Sequence, residues 1–246
     1  AERILKELGK AAAAKRSGRA TNEGRVFIRT EGDRAVILEM ACETDFVARN
    51  ESFVALGDEL TRDILTRNIT AADETLNAKV QDAISTIKEN MSLRRFEIVE
   101  KNDNQVFSSY IHGESGGIGG VVVIGVDPAG LGDKQEVADF AFDVALHVVA
   151  FRPMYRSTED VDEDYRTEQE EIFLSQAKNM DKPEKVIQGI VQGKLRKHFA
   201  EICLLEQGFV KDEKRAVKDV AKEVGKTVGG TVSVDAYRVF AVGEEV

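Results

Sequence analysis

Apolar and polar positions alternate from Arg25 to Thr30 and again, more apolar, from Ala35 to Cys42. That period of two predicts two strands, and the turn residues Glu31-Gly32-Asp33 between them predict a hairpin. From Thr44 onward the period lengthens. Phe53, Val54, Leu56 and Leu60 recur at helical spacing, so a helix is expected over roughly Asp45 to Leu65. The same order then returns: Val106-Phe107 echoes Val26-Phe27, Gly116 to Gly120 stands for the turn, Val121 to Ile124 for the second strand, and Val137 to Val149 for the helix. Two copies of a strand-strand-helix unit are the simplest description of residues 24 to 157. Each copy lays helices on one face of a small antiparallel sheet, an α+β arrangement. Between the copies, Leu76, Val80, Ile84 and Ile87 mark an amphipathic helix over Ala71 to Glu89, and Leu93 to Val99 reads as extended.

Residues Glu159 to Leu205 carry helical stripes, Val161-Tyr165-Ile172 and Ile187-Val191-Leu195-Phe199-Ile202, interrupted at Asp181-Lys182-Pro183-Glu184. Proline suits the first turn of a helix, so two helices joined by a short turn are expected as an antiparallel hairpin. Their apolar stripes are too narrow to be covered on all sides, which predicts a projecting hairpin over packing flat on the sheets. The tail from Thr227 to Phe240, with Val228, Val232, Val234, Tyr237 and Val239, reads as a further strand. The expected domains are an N-terminal helix and linker at 1–22, a first α+β subdomain at 23–100, and a second at 101–246 interrupted by the hairpin at about 159–205. The opening stretch Ala1 to Leu8 already has helical spacing with no initiating Met or capping residue ahead of it, and a preceding segment is expected. The basic cluster Lys15-Arg16 with Arg19 reads as a solvated helix end.

Composition narrows the function. The chain has 246 residues, 42% of them hydrophobic, enough for a core, and its 44 acidic against 34 basic residues give a net charge of −10. A field of that sign disfavours nucleic acid and anionic lipid, which leaves a protein or small-molecule partner. No apolar run reaches the length of a membrane helix and no secretory signal is recognisable, so a cytoplasmic location is expected. Cys42 and Cys203 lie far apart without metal-ligand spacing and are expected to be reduced and buried.

The usual signatures of catalysis fail in turn. Gly225-Lys226-Thr227 resembles the end of a phosphate loop, but Val220 stands where its first glycine belongs. Gly117-Ile118-Gly119 begins a dinucleotide motif, yet Val122 replaces the third glycine and the segment enters a strand rather than a helix. These glycines read instead as a hairpin turn or a place of close backbone approach. His112, His147 and His198 include no pair at helical metal-site spacing. His147, among Phe142, Val144, Leu146, Val148 and Val149, reads as a histidine at the edge of a helix core. The acidic pairs Glu159-Asp160 and Glu170-Glu171 are adjacent on helices and do not face one another. No catalytic residue, metal or cofactor is expected.

The most informative stretch is Cys42-Glu43-Thr44-Asp45-Phe46-Val47-Ala48-Arg49-Asn50. A single Phe near a strand end is ordinarily core. Thr44 and Asp45, however, place Phe46 at a helix start, where connecting segments present functional residues. An exposed aromatic there would make a wedge with Asp45 as its charged companion.

At this point the residues resemble a known family, elongation factor Ts, the exchange factor for the translation GTPase elongation factor Tu. The resemblance rests on Ala12-Ala13-Ala14-Lys15-Arg16 with Gly18-Arg19, the nonapeptide with Thr44-Asp45-Phe46-Val47-Ala48, Glu89-Asn90 with Leu93-Arg94-Arg95, Ile118-Gly119, and His147-Val148-Val149-Ala150 with Pro153. Lys182-Pro183, Gln207 with Phe209-Val210, and Arg238-Val239-Phe240 with Val242-Gly243-Glu244 extend it over the whole chain. It implies a two-subdomain core with a projecting coiled-coil hairpin, and an activity of binding elongation factor Tu in its GDP form and speeding GDP release. Asp45 and Phe46 would push into the GTPase domain, flanked by Thr44 and Val47, while Ile118, Gly119 and His147 match further positions at the partner surface. On this resemblance the family's N-terminal helical module is expected ahead of the opening helix; Lys88 stands where glycine commonly precedes Glu-Asn, and the Asp127 to Lys134 segment is locally distinctive. A structural binding partner that tethers the GTPase without exchanging its nucleotide is the alternative reading.

Overall fold

The computed structural model describes residues 16–178 and 182–244. The expected N-terminal helix and Asp181 at the hairpin turn fall outside them. The architecture is α+β. Strands β1 (Glu23–Glu31), β2 (Arg34–Cys42) and β3 (Met91–Glu100) form one antiparallel sheet in the order β1-β2-β3. Strands β4 (Gln105–His112) and β5 (Ile118–Asp127) form a second with a late strand, β8 (Thr231–Ala241), in the order β4-β5-β8. The first hairpin closes as the alternation predicts: Glu31 pairs with Arg34 across Gly32-Asp33, with Gly32 at the positive φ of 61° that a two-residue turn demands.

Both faces of each sheet are covered, and the strand parity shows how. Val36, Leu38 and Met40 of β2 pack with Phe53, Leu56, Leu60 and Ile64 of α2 (Glu51–Arg67) and with Leu76, Val80 and Ile84 of α3 (Glu74–Ile87). Their neighbours Ala35 and Ile37 point the other way, against Val121 and Val123 of β5 and Phe240 of β8. Burial on two faces explains why β2 is apolar at nearly every position rather than strictly alternating. On the far side of the second sheet, Val122, Ile124 and Val126 meet Val137, Phe140, Val144 and Val148 of α4 (Gln135–Phe151) and Val217, Val220 and Ala221 of α7 (Val217–Val228). The molecule is thus layered helices, sheet, sheet, helices. Each fully buried Leu, Ile or Val in these three clusters contributes about 1.5–3 kcal/mol. Gly57 allows α2 to seat closely, because a Cβ there would overlap the Phe27 ring.

One charge lies in the layer between the sheets. Glu39, fully buried, accepts from Arg95 Nε at 2.7 Å and from the backbone N–H of Gly243 at 3.1 Å. Arg95 also donates to the Ala241 carbonyl at 3.2 Å and to Glu244 at 3.0 Å, and its guanidinium lies 4.1 Å from the Phe240 ring centroid. A buried charge requires such pairing, and this one fastens the end of the chain to the first sheet.

Helices α5 (Glu163–Lys178) and α6 (Glu184–Ile202) run side by side in opposite directions, since Tyr165 meets His198 and Gln176 meets Lys194. Their apolar contacts, Val161, Ala177, Val191, Leu195, Phe199 and Cys203, all come from residues of the pair and its base. The base is tied at 154–156 to 202–205, with Met154 N–H donating to the Ile202 carbonyl at 2.9 Å and Leu204 N–H to Tyr155 at 2.9 Å. The short strands β6 (Gly208–Phe209) and β7 (Asp212–Ala216) lead from there into α7.

The structure corrects four sequence expectations. The helix expected over Asp45 to Leu65 is two: α1 (Asp45–Ala48) and α2, broken where Asn50 leaves helical geometry and its side chain caps Ser52 N–H at 2.8 Å. The glycines from 116 to 120 are not all turn, because β5 begins at Ile118 and Gly119 and Gly120 are strand residues. Thr227 and Val228 close α7 instead of opening the last strand, with Gly229 at φ 85° ending the helix. Ile172, expected in the hairpin stripe, is exposed.

Candidate functional site

Where β2 ends, Cys42 is buried beneath Thr44 and directs its thiol at the Thr44 carbonyl, 3.2 Å away. Burial pushes that thiol up to about 12, with the nearby Glu89 carboxylate adding to the shift, so it stays protonated and donates. Thr44 then caps α1: its backbone is extended and its Oγ1 accepts from Val47 N–H at 3.4 Å. The turn has an inner and an outer side. Val47 and Ala48 join the core of the first sheet, while Phe46 is 82% exposed, the most exposed large hydrophobic among the described residues. Asp45 lies beside it and pairs with Arg49 Nη2 at 3.2 Å across one helical turn. Both side chains are about half exposed, so the pair is worth less than about 1 kcal/mol and Asp45 can change partner cheaply.

A four-residue helix cannot hold itself. The support comes from the end of α3. Its C-cap, Lys88, takes the left-handed conformation at φ 69° and turns the chain so that Glu89 reaches Thr44 with both oxygens, one accepting the Thr44 backbone N–H at 3.1 Å and the other the Thr44 hydroxyl at 2.8 Å. Next to it, Asn90 N–H donates to Glu43 at 2.6 Å, and the Asn90 amide donates to the Arg19 carbonyl at 2.8 Å. The left-handed backbone at Lys88 is also the physical reason a glycine suits that position.

Ile118 is brought to the same end of the molecule. β1 begins beside the end of β2, Glu23 opposite Cys42, and its Val26 N–H donates to the Gly116 carbonyl at 2.8 Å, two residues before Ile118. Arg25 reaches across to the Glu114 carbonyl at 2.8 Å. Ile118 is half-buried at the mouth of β5. Gly119 is buried, and a Cβ there would stand 3.0 Å from Val26 and 3.3 Å from Ile28, tighter than ordinary contact, so glycine lets the sheets approach without displacing those side chains.

His147 is placed otherwise. It is fully buried on α4, its ring stacked 6.3 Å from Phe209 and tilted against Phe151 at 4.6 Å. Nε2 lies 2.9 Å from Gln207 Oε1, and the Gln207 amide nitrogen is occupied by the Glu201 carbonyl at 2.8 Å. That fixes the amide orientation, so His147 Nε2 donates. Nδ1 is buried and has no protein partner. Burial therefore holds the imidazole pKa below its ordinary value, and the ring is neutral at physiological pH.

Among the described residues no group of His, Cys, Asp and Glu could hold a metal ion, and no helix is long and apolar enough to cross a membrane. Both cysteines are free and buried, as expected.

Comparison with known proteins addresses the same elements. The family described as elongation factor TS matches residues 43–244, from the residue before Thr44 to the Glu244 that closes the inter-sheet network. The chain belongs to the elongation factor Ts family. Elongation factor Ts of Treponema denticola is 43% identical over 243 residues, covering 99% of this chain and 86% of the relative. The protein of the same name from Borrelia recurrentis is 42% identical, covering 99% of this chain and 87% of its own length. Family membership makes this a translation elongation factor, in the class of exchange factors. Glu43, Glu89 and Asn90, which support the turn Thr44-Asp45-Phe46, carried no role in the sequence. Glu89 and Asn90 marked the family there, but nothing local shows a residue 45 positions away holding Thr44.

Proposed function

We propose that this chain binds elongation factor Tu in its GDP form and promotes GDP release and exchange for GTP, acting in the cytoplasm without making or breaking a covalent bond. The observation that carries the reading is Phe46, held out almost free of the surface on a turn that the rest of the site immobilises. Membership of the elongation factor Ts family supports it. In this reading Phe46 enters an apolar crevice of the GTPase that is open only when the nucleotide site is loosened, Asp45 exchanges Arg49 for a polar group of the partner, and Thr44 and Val47 set the turn. Ile118 forms a second contact at the same end, and the buried Gly119 serves it from behind by letting the two sheets approach. His147 acts from within, by fixing the α4 surface, since its ring is covered by Gln207, Phe209 and Phe151.

The physics is linkage: whatever free energy the factor gains on the nucleotide-free form over the nucleotide-bound form is lost from nucleotide affinity. Burying one Phe supplies about 2–3 kcal/mol, a weakening of GDP binding by roughly 30- to 150-fold from that side chain alone. Residues 23–100 and 101–246 form two related subdomains in this account, with the helix pair at about 159–205 a projecting coiled coil that extends the contact surface. Neither nucleic acid nor membrane enters, in keeping with the net charge of −10.

The test is GDP release from purified elongation factor Tu with and without this chain. A release rate that climbs with factor concentration to a plateau is the expected result. Tight binding with an unchanged release rate would make the chain a tether rather than an exchange factor.

A further inference from the structure

We propose that Glu89 is the positioning residue for Phe46: its carboxylate clamps Thr44 and so holds the α1 turn at the angle from which Phe46 can enter the partner. This rests on the exchange reading above and assigns a role that touches no partner atom.

Thr44 must do two things at once. Its hydroxyl oxygen has to offer a lone pair to Val47 N–H, and its own proton must go elsewhere. The hydroxyl donates its hydrogen bond to Glu89 at 2.8 Å, which fixes the rotor so that the lone pairs face the helix. The second carboxylate oxygen accepts the Thr44 backbone N–H at 3.1 Å, fixing the residue's orientation. Both bonds involve a charged acceptor and are the stronger kind. The geometry also needs the left-handed Lys88, which turns the chain at the end of α3 and directs Glu89 back toward β2. Phe46 itself receives no comparable support, being 82% exposed. A wedge that pushes on a partner transmits the reaction force to its backbone, and in this turn the backbone is anchored at Thr44 on one side and at buried Val47 and Ala48 on the other.

The experiment has two arms. In the free chain, amide hydrogen exchange is compared for wild type, Glu89→Gln, Glu89→Ala and Thr44→Val. Faster exchange confined to Val47 and Ala48, with α2 and β2 unchanged, is expected for Glu89→Ala and Thr44→Val, and a smaller rise for Glu89→Gln, which keeps one acceptor oxygen. Unchanged protection there would overturn the proposal whatever the chain does to a GTPase.

In the second arm, stimulated GDP release is measured against factor concentration. Glu89→Ala should lower the plateau rate by about tenfold, the scale of losing charge-assisted hydrogen bonds. The half-saturating concentration should change by less than about threefold, because only the wedge is misplaced. Placed on Phe46→Ala, the same substitution should add less than about a twofold loss, since residues acting as one unit are not additive. An equal loss on both backgrounds would mean that Glu89 acts elsewhere and would overturn the positioning role. If wild type fails to speed release, the exchange reading falls while the amide-exchange arm still decides whether Glu89 holds the turn.

Discussion

Phe46 and His147 sit at opposite extremes of exposure, 82% and 0%, although the resemblance to elongation factor Ts assigns both to the partner-facing set. Around Phe46 the structure fixes the backbone and leaves the ring free: Glu89, Thr44 and the buried Val47 immobilise a single turn. Around His147 it fixes the ring: Gln207 sets its tautomer, and Phe151 and Phe209 cover its faces. The first arrangement presents a side chain at the cost of leaving an apolar surface in water. The second uses a polar side chain as a core element joining α4 to the segment that returns from the helix pair. Matching a family position therefore does not say how a residue serves it, whereas burial and hydrogen-bond partners do.

Substitutions should separate the two kinds of residue. The largest effect on stability is expected from His147→Ala, which opens a cavity and leaves Gln207 Oε1 unpaired. Unfolding free energy should fall by about 3 kcal/mol in urea denaturation. A fall below 0.5 kcal/mol would mean that His147 is not a core support.

The next effect is one of pH. A neutral buried histidine binds its proton less well folded than unfolded, so its contribution is intact above the ordinary value of 6.5 and is lost as pH falls from there toward the lower folded pKa. Over that window wild type should lose up to about 1.4 kcal/mol per pH unit more than His147→Gln, read from denaturation at a series of pH values.

Smaller still is Lys88→Gly, which relieves a left-handed backbone at a non-glycine residue. It should raise stability by about 0.5–1 kcal/mol in thermal unfolding and leave GDP release unchanged. The smallest is Phe46→Ala in the free chain. With its ring already in water, stability should shift by no more than about 0.5 kcal/mol, and a larger loss would place Phe46 in the core after all.

Much of this was legible in the chain before its structure. Period-two runs flanking Gly32-Asp33 fixed the first hairpin because register and turn chemistry are local. The covering helices α2 and α3 followed from 3.6-residue spacing for the same reason, and α4 from the returning order of elements. Other features were hidden. Helix α7 has apolar positions at Val217, Val220, Ala221 and Val224, a readable stripe, but Val228 and the glycines after it blend into the strand pattern that follows. That the two sheets lie face to face depends on which parity of β2 and β5 meets the other sheet, and alternation alone does not choose a partner. The exposure of Phe46 ran against the burial habits of phenylalanine and came from Thr44-Asp45 and the family resemblance. Its support by Glu89 depends on the left-handed turn at Lys88, a backbone state that lysine does not advertise.

Phe46, free in the isolated chain, is on the proposed function the group whose burial in elongation factor Tu drives GDP out. Stopped-flow release of a fluorescent GDP analogue from elongation factor Tu, at saturating wild-type or Phe46→Ala chain, tests it directly. A plateau rate about 30-fold lower or more is expected for the variant, the scale of a lost aromatic anchor of about 2 kcal/mol, with its unfolding curve superimposed on wild type. Equal plateau rates would contradict it.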